Sequence, residues 1–513
     1  MLPLIPWPTV VEAPEGVQVD LPAVRVVAPD DELAALAAEQ LSAVGLVVAY
    51  GSQDADVAVN ADGAVNTDGT DGSAVVFALR IDEAAGPAGS DNAERYTLRV
   101  AAGGIEALAP ERVGLLHAVR TLRQLVPVSE TGAETGDEPG DAAGAPGPRT
   151  VPAVVVHDAP RYRWRGLSFD VVRHWFDRDD IRAVVDLVAA FKLRVLHLHL
   201  TDDQGWRIEI PSRPELEKAS DNQVGGGTAG FLTVDDYREL QAYAAARFVT
   251  IVPEFDMPGH INAATHVYGA LTKDGVATDA YDGIEVGFSR LWFDNPATEP
   301  FLRDVIGDLA RMTDGEWVHV GGDEVHTMEY DEFARFVELA GRIVREHGKT
   351  PVFWQEGARG PVEPGTLLQY WEPKGEEFDR FVAAARAGAR FIMSPGNHAY
   401  LDMKYTPEHA LGLAWAGHVE LRDSYDWEPT EVISGLPAGA VEGVEGAVWT
   451  ETLSTRDELF SMLLPRLGAV AEVAWTAPSG KDWESFRARV SAQAPAWRTR
   501  GWAFHQTPQV DWS

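Results

Sequence analysis

The chain has no cysteine at all, which removes disulfide frameworks, thiolate metal sites and thiol nucleophiles from consideration. It is also short of basic charge. Forty-three Lys and Arg stand against 79 Asp and Glu, a net charge of -36. Such a surface repels phosphate backbones and anionic lipid, so neither nucleic acid nor a membrane surface is an expected partner. No apolar run approaches the ~18 residues of a transmembrane helix. The N-terminal stretch, Met1 to Val10, has neither the basic segment nor the apolar run of a signal peptide. The expected location is therefore cytoplasmic, with secretion left open if the chain is a trimmed form.

What the chain does have is length and rhythm. At 513 residues it has room for a large barrel of about 250 residues or more beside a smaller domain. Residues 1 to about 126 show short β-type runs at 24–28, 74–81 and 96–100, with helical patterns at 31–44 and 113–125. They gather no catalytic residue types, which fits a supporting α/β domain. From 129 to 150 the composition collapses to Gly, Ala, Pro, Thr and acids, the signature of a flexible surface loop. The domains are placed at 1–155, with this loop near its end, and at 156–513.

Beyond that loop the pattern is strand, loop, helix, repeated. Strands are predicted at 166–172, 195–200, 249–255, 317–320, 352–354, 367–370, 391–394 and 446–449. Apolar residues at helical spacing lie between them, and Thr233 with Asp236 and Thr455 with Glu458 read as helix-starting caps. Eight such units specify a (β/α)₈ barrel with a C-terminal helix.

A barrel of this kind keeps its chemistry at the carboxyl ends of its strands. Residues 317–324 (WVHVGGDE) form an apolar strand that opens into two glycines and two consecutive acids, Asp323 and Glu324. Acids after a strand also serve as helix N-caps, so this stretch alone leaves both readings open. The other strand ends carry the same character: Arg173 after the first, Asp202 after the second, Asp256 and His260 after the third. Trp354, Trp371, Tyr400 with Asp402, and Trp449 with Glu451 follow the fifth to eighth. As neighbours on an extended segment, Asp323 and Glu324 are expected to point apart. Tryptophan (16) outnumbers tyrosine (12). Indoles stack on the C–H faces of a pyranose while carboxylates and arginine bind its hydroxyls, so the rim reads as a sugar site.

Residues 319–324, together with 197–207 (HLHLTDDQGWR), 253–260 (PEFDMPGH) and the run from Trp164-Arg165-Gly166 to Arg173-His174, resemble the family-20 glycoside hydrolases, the β-N-acetylhexosaminidases. The resemblance runs from about Asp158 to Trp475, and the helix near Gly114 to Leu125 is similar to the end of that family's N-terminal domain. One departure is Leu232, where the family often has an aromatic residue. The resemblance implies a retaining, exo-acting hydrolase of terminal N-acetylglucosamine or N-acetylgalactosamine. It uses no cofactor and no metal, and the substrate's own acetamido oxygen attacks through an oxazolinium ion. It implies Glu324 as acid and base, with its carboxyl raised towards neutrality, and Asp323 as partner of the acetamido N–H. Tyr400 would donate to the acetamido oxygen, and Trp354, Trp371 and Trp449 would wall its methyl group. Arg173, Asp202 and Glu451 would bind hydroxyls, Asp402 and Trp415 would complete the wall, and His260 with Asp256 would support Glu324. Two rivals remain at this stage: a sugar-binding module of the same fold without catalysis, and a metal-dependent barrel hydrolase using His197 and His199.

Overall fold

The computed structural model describes residues 1–52, 58–59, 65–66, 74–128, 149–373 and 377–512, and the expected loop at 129–150 lies outside these residues apart from its last two. Arg149 and Thr150 instead open a strand, Arg149–Pro152, that pairs antiparallel with Gln18–Leu21. The chain divides into two compact units, Met1–Arg161 with Trp475–Ser513, and Tyr162–Ala474.

The first unit is built on a seven-stranded sheet in the order Val10–Glu12, Val154–Asp158, Tyr96–Ala101, Gly104–Ala109, Val75–Ile81, Val24–Ala28, Val48–Ser52. The helix Arg112–Leu125 buries Leu115, Leu116, Val119, Leu122 and Leu125, the i, i+3, i+4 stripe visible in the sequence. The C-terminal helix Trp483–Thr499 belongs to this unit, not to the barrel domain in which the sequence reading placed it. Its polar side chains explain the docking: Arg489 donates to the Leu4 carbonyl at 2.6 Å, and Gln493 donates to that of Pro3.

The second unit is a closed barrel of eight parallel strands, each hydrogen-bonded to its neighbours in sequence. These are β1 (Trp164–Asp170), β2 (Val195–His199), β3 (Thr250–Glu254), β4 (Trp317–His319), β5 (Thr350–Trp354), β6 (Leu367–Tyr370), β7 (Arg390–Met393) and β8 (Val441–Val448). All eight expected strands are present, with ends shifted by a few residues. Both threonine caps form: Thr233 and Thr455 accept from the backbone N–H of Asp236 and Glu458 at 3.1 and 3.3 Å. Side chains of one strand face alternate in the barrel interior. Trp164, Val195, Val252, Trp317, Val352, Leu367 and Ile392 make an apolar floor. The residues two further along several strands, His197, Glu254, His319 and Gln369, make a polar layer above it, joined by Glu445. No helix among the described residues is long and apolar enough to cross a membrane.

Candidate active site

The chain leaves β4 with its handedness reversed. Gly321, Gly322 and Glu324 have φ of 63°, 106° and 51°. A Cβ on Gly321 would lie 1.7 Å from Asp256 Oδ1, so only glycine fits there, and the Gly322 N–H donates to that same oxygen at 3.0 Å. Glu324 has a side chain, and holding it in the left-handed region costs about 1–3 kcal/mol that the surroundings must offset. The twist corrects the expectation that the two acids point apart. Both approach His260 Nε2, with Asp323 Oδ2 at 3.7 Å and Glu324 Oε2 at 3.5 Å. Neither caps a helix, because the next one, Tyr330–Glu346, begins beyond Glu329.

His260 is itself left-handed, at φ 50°, and is held from behind by Asp202 Oδ1 at 3.1 Å from Nδ1. Asp202 was expected on sugar hydroxyls. Its acceptor sites are instead filled by Arg173 at 2.8 Å, His199 at 2.7 Å, His260 and the Asp203 N–H at 2.6 Å. It positions three side chains and has no lone pair to spare for a ligand. Burial opposes a charged His260, but Asp202 and Asp323 outweigh it and hold the imidazole well above its usual range.

That cation also overturns the expected state of Glu324. Burial pushes the Glu324 carboxyl up, yet the hydrogen bond and charge of His260, with Arg173 and His326, hold it below its ordinary value. The raised acids are its neighbours. Asp323 is pushed up by burial and by the charge of Glu324, Asp256 well up by burial and Asp323, and Glu356 up to about 8 by burial and Asp323. Glu324 is thus the depressed carboxyl among raised neighbours, facing the imidazole of His260.

Beside these acids stands an aromatic box. Trp354, Trp371, Tyr400 and Trp449 are buried together with Met403, Val419 and Ala447. Trp371 and Tyr400 lie nearly parallel at 6.2 Å, and Trp354 and Trp449 are 5.9 Å apart. Trp415 is 48% exposed and sets its edge against Trp371 and Tyr400 at 5.4 and 5.3 Å. It forms the lip rather than the wall. The Arg173 guanidinium lies 4.9 Å over Trp449.

Asp402, two residues past Tyr400, is buried with no side-chain hydrogen-bond partner among the described residues, and backbone N–H groups alone approach its carboxyl. Burial and Glu451 push it well above the carboxylate range, while burial and Asp170 push Glu451 up to about 7 against the pull of Arg173. A pair of partly protonated acids beside an arginine offers donors and acceptors together, as hydroxyl recognition needs.

Sequence reasoning missed the support beneath. Glu254 accepts from Trp354 Nε1 at 2.7 Å and meets His319 Nδ1 at 3.0 Å with one oxygen; with the other it meets His199 at 2.5 Å and His197 at 3.1 Å. The signal was an acid inside a buried strand, which requires partners. His197 completes its contacts on Glu445 at 3.0 Å. His197, Glu254 and His319 lie close enough together to hold a cation, but the ring nitrogens of His197 and His199 are already committed to carboxylates. That arrangement suits inward-facing core histidines.

Residues 162–334 and 329–478 match the glycosyl hydrolase family 20 catalytic domain, and residues 1–159 match domain 2 of the same family. A β-N-acetylhexosaminidase of Cellulomonas fimi is 50% identical over 510 residues, covering 99% of this chain and 97% of that protein. A solved family-20 β-N-acetylhexosaminidase from Streptomyces coelicolor superposes with a TM-score of 0.88 at 39% identity, over 100% of this chain and 99% of that one. The Streptomyces plicatus N-acetyl-β-hexosaminidase in complex with Thio-NAglucal gives 0.88 at 38%, covering 100% and 98%. With a barrel whose strand ends gather paired acids, an arginine and an indole box, the chain belongs to glycosyl hydrolase family 20, the β-N-acetylhexosaminidases.

Proposed function

We propose that this hydrolase releases terminal N-acetylglucosamine or N-acetylgalactosamine from the non-reducing ends of glycans, with retained configuration, using the substrate's acetamido group as nucleophile. The observation that carries the reading is Asp323, a buried carboxylate whose side-chain hydrogen bond is shared with another acid, Asp256, and which lies close enough to the indole box for its charge to act on Tyr400. A hydrogen bond between two acids is readily exchanged for a neutral N–H donor. An acetamide brings an N–H for the acid and a methyl group for the indoles, a pairing that a hydroxyl lacks.

In this scheme the acetamido oxygen attacks the anomeric carbon as the glycosidic bond breaks. Tyr400 donates to that oxygen, and Asp323 accepts from the N–H and balances the charge growing on nitrogen. Trp354, Trp371 and Trp449 hold the acetyl group in attack geometry. Glu324 delivers the proton to the leaving oxygen and later takes one from water as the oxazolinium ring opens. Glu324 is held below its ordinary value in the free site, so it must gain a proton as substrate binds; His260 Nε2 stands 3.5 Å from its Oε2. A sugar covering the site deepens the burial of Glu324, which raises its carboxyl and favours that protonation. Arg173, Asp402 and Glu451 bind the hydroxyls of the terminal sugar.

The test compares an aryl 2-acetamido-2-deoxy-β-glucoside with its 2-hydroxy counterpart, and reads the first-released anomer by proton NMR. The acetamido glycoside is expected to turn over orders of magnitude faster, with β-sugar appearing first. Equal rates, or the α-anomer first, would overturn the proposal.

A further inference from the structure

The three indoles of the acetamido box are not anchored alike. Trp354 ends β5 and rests its N–H on Glu254 Oε1, deep in the barrel, at 2.7 Å. Trp371 lies one residue past β6, outside the ladder. Two side chains from the turn Gln355–Arg359, directly after β5, hold its N–H groups, while its carbonyl accepts from the Gly396 N–H at 2.8 Å. Gln355 Oε1 accepts from the backbone N–H of Trp371 at 3.0 Å and from that of Glu372 at 3.1 Å, and Glu356 Oε2 accepts from the indole N–H of Trp371 at 3.2 Å. Gln355 and Glu356 are 6% and 7% exposed, so neither contact competes with bulk water.

One face of the Trp371 ring stacks on Tyr400, and its edge meets Trp415, itself half in solvent; among the described residues no side chain other than Glu356 accepts from its indole N–H. We infer that Gln355 and Glu356 form a two-point clamp on Trp371 that sets how large an N-acyl group the pocket accepts; the inference rests on the acetamido reading above and assigns it a specificity determinant.

Glu356 has a second neighbour in Asp323, whose charge, after burial, helps to hold its carboxyl near 8. At neutral pH it therefore meets the indole as an uncharged acid, adding no second anion beside Asp323. Glutamine copies that form in size and in its acceptor oxygen. Alanine removes the acceptor and leaves the ring free to turn outwards, deepening the box at the methyl end while loosening the hold on acetyl. Both clamp residues act through Trp371; they are positioning residues, not catalytic ones.

The experiment measures kcat and KM for a series of aryl β-glucosaminides carrying N-acetyl, N-propionyl and N-butanoyl groups, on the full chain. Wild type is expected to fall steeply along the series. Glu356→Ala should lower kcat on the N-acetyl substrate by ~10–100-fold with a smaller change in KM, the cost of a misplaced nucleophile. It should leave the N-butanoyl rate within about threefold, so that the acetyl preference shrinks by an order of magnitude. Glu356→Gln should restore the wild-type ratio. Gln355→Met, which removes only the side-chain hold on the Trp371 and Glu372 N–H groups, should relax the ratio in the same direction and stands in if Glu356→Ala does not fold.

Equal fold-losses on all three substrates would overturn the clamp, as would a ratio in Glu356→Gln as relaxed as that in Glu356→Ala. The parent reading fails separately: a wild type indifferent to the 2-acetamido group sinks both, whereas a selective wild type with unmoved ratios in the variants sinks only the clamp.

Discussion

The polar layer inside the barrel and the rim above it use the same residue types to opposite effect. Below, Glu254 has both oxygens filled by His197, His199, His319 and Trp354, and Glu445 takes contacts from His197, Trp164 and Gln369. At the rim, Asp323 and Asp256 share a hydrogen bond between two acids, and Asp402 has no side-chain partner among the described residues. Carboxylates paired with N–H donors on every oxygen hold a structure together, whereas acids paired with acids are held in place by it and can exchange that partner for a ligand. The contrast separates the carboxylates of the scaffold from those of the site.

The comparison can be broken most sharply at Glu324. Glu324→Gln should cost ~10³–10⁴-fold in kcat/KM while the melting temperature stays within about 2 °C, checked by steady-state kinetics and calorimetry. Loss of folding there would mean that the rim too is scaffold. Asp323→Asn should lose ~10²–10³-fold, mainly in kcat, because it weakens a charge that matters most as the nitrogen becomes positive. Glu254→Ala inverts the pattern: removing one partner of a buried charged cluster should cost ~3–5 kcal/mol in denaturant unfolding, with activity falling as a consequence of structure.

The smallest effect is in pH. Glu356 at about 8 and His197 at about 9 keep their protons in the folded chain above the pH at which the unfolded chain releases them. The folded state then binds more protons than the unfolded one, so stability falls as pH rises from 7 to 9. The depressed acids Asp202 and Glu254 contribute fully throughout that window and weaken only in acid. A drop in melting temperature on the order of 5 °C is expected between pH 7 and 9, and Glu356→Gln should flatten part of it.

Much of this was legible in the chain. The eight strands announced themselves because a barrel strand is buried on both faces and reads as a short apolar run. Trp371 and Glu451 lie within two or three residues of such runs, whereas Tyr400 and Asp402, several residues past the seventh, are assigned through resemblance to the family. What could not be read was direction and partnership. Nothing in the order of residues shows that Glu324 turns left-handed towards Asp323's side, or that Asp202 spends all its lone pairs on Arg173, His199 and His260. The depressed carboxyl of Glu324 likewise depends on a histidine brought in from another strand. The C-terminal helix went to the wrong domain because its anchors, Arg489 and Gln493, reach backbone carbonyls at the opposite end of the chain.

Asp323 and Glu324 are joined by a single peptide unit, and this has a mechanical result. The spacing between counter-ion and proton carrier is set by covalent bond lengths and the backbone twist at Glu324. A substitution that moves another strand end can shift the hydroxyl-binding side chains relative to this pair, but it leaves the covalent link between the two acids unchanged.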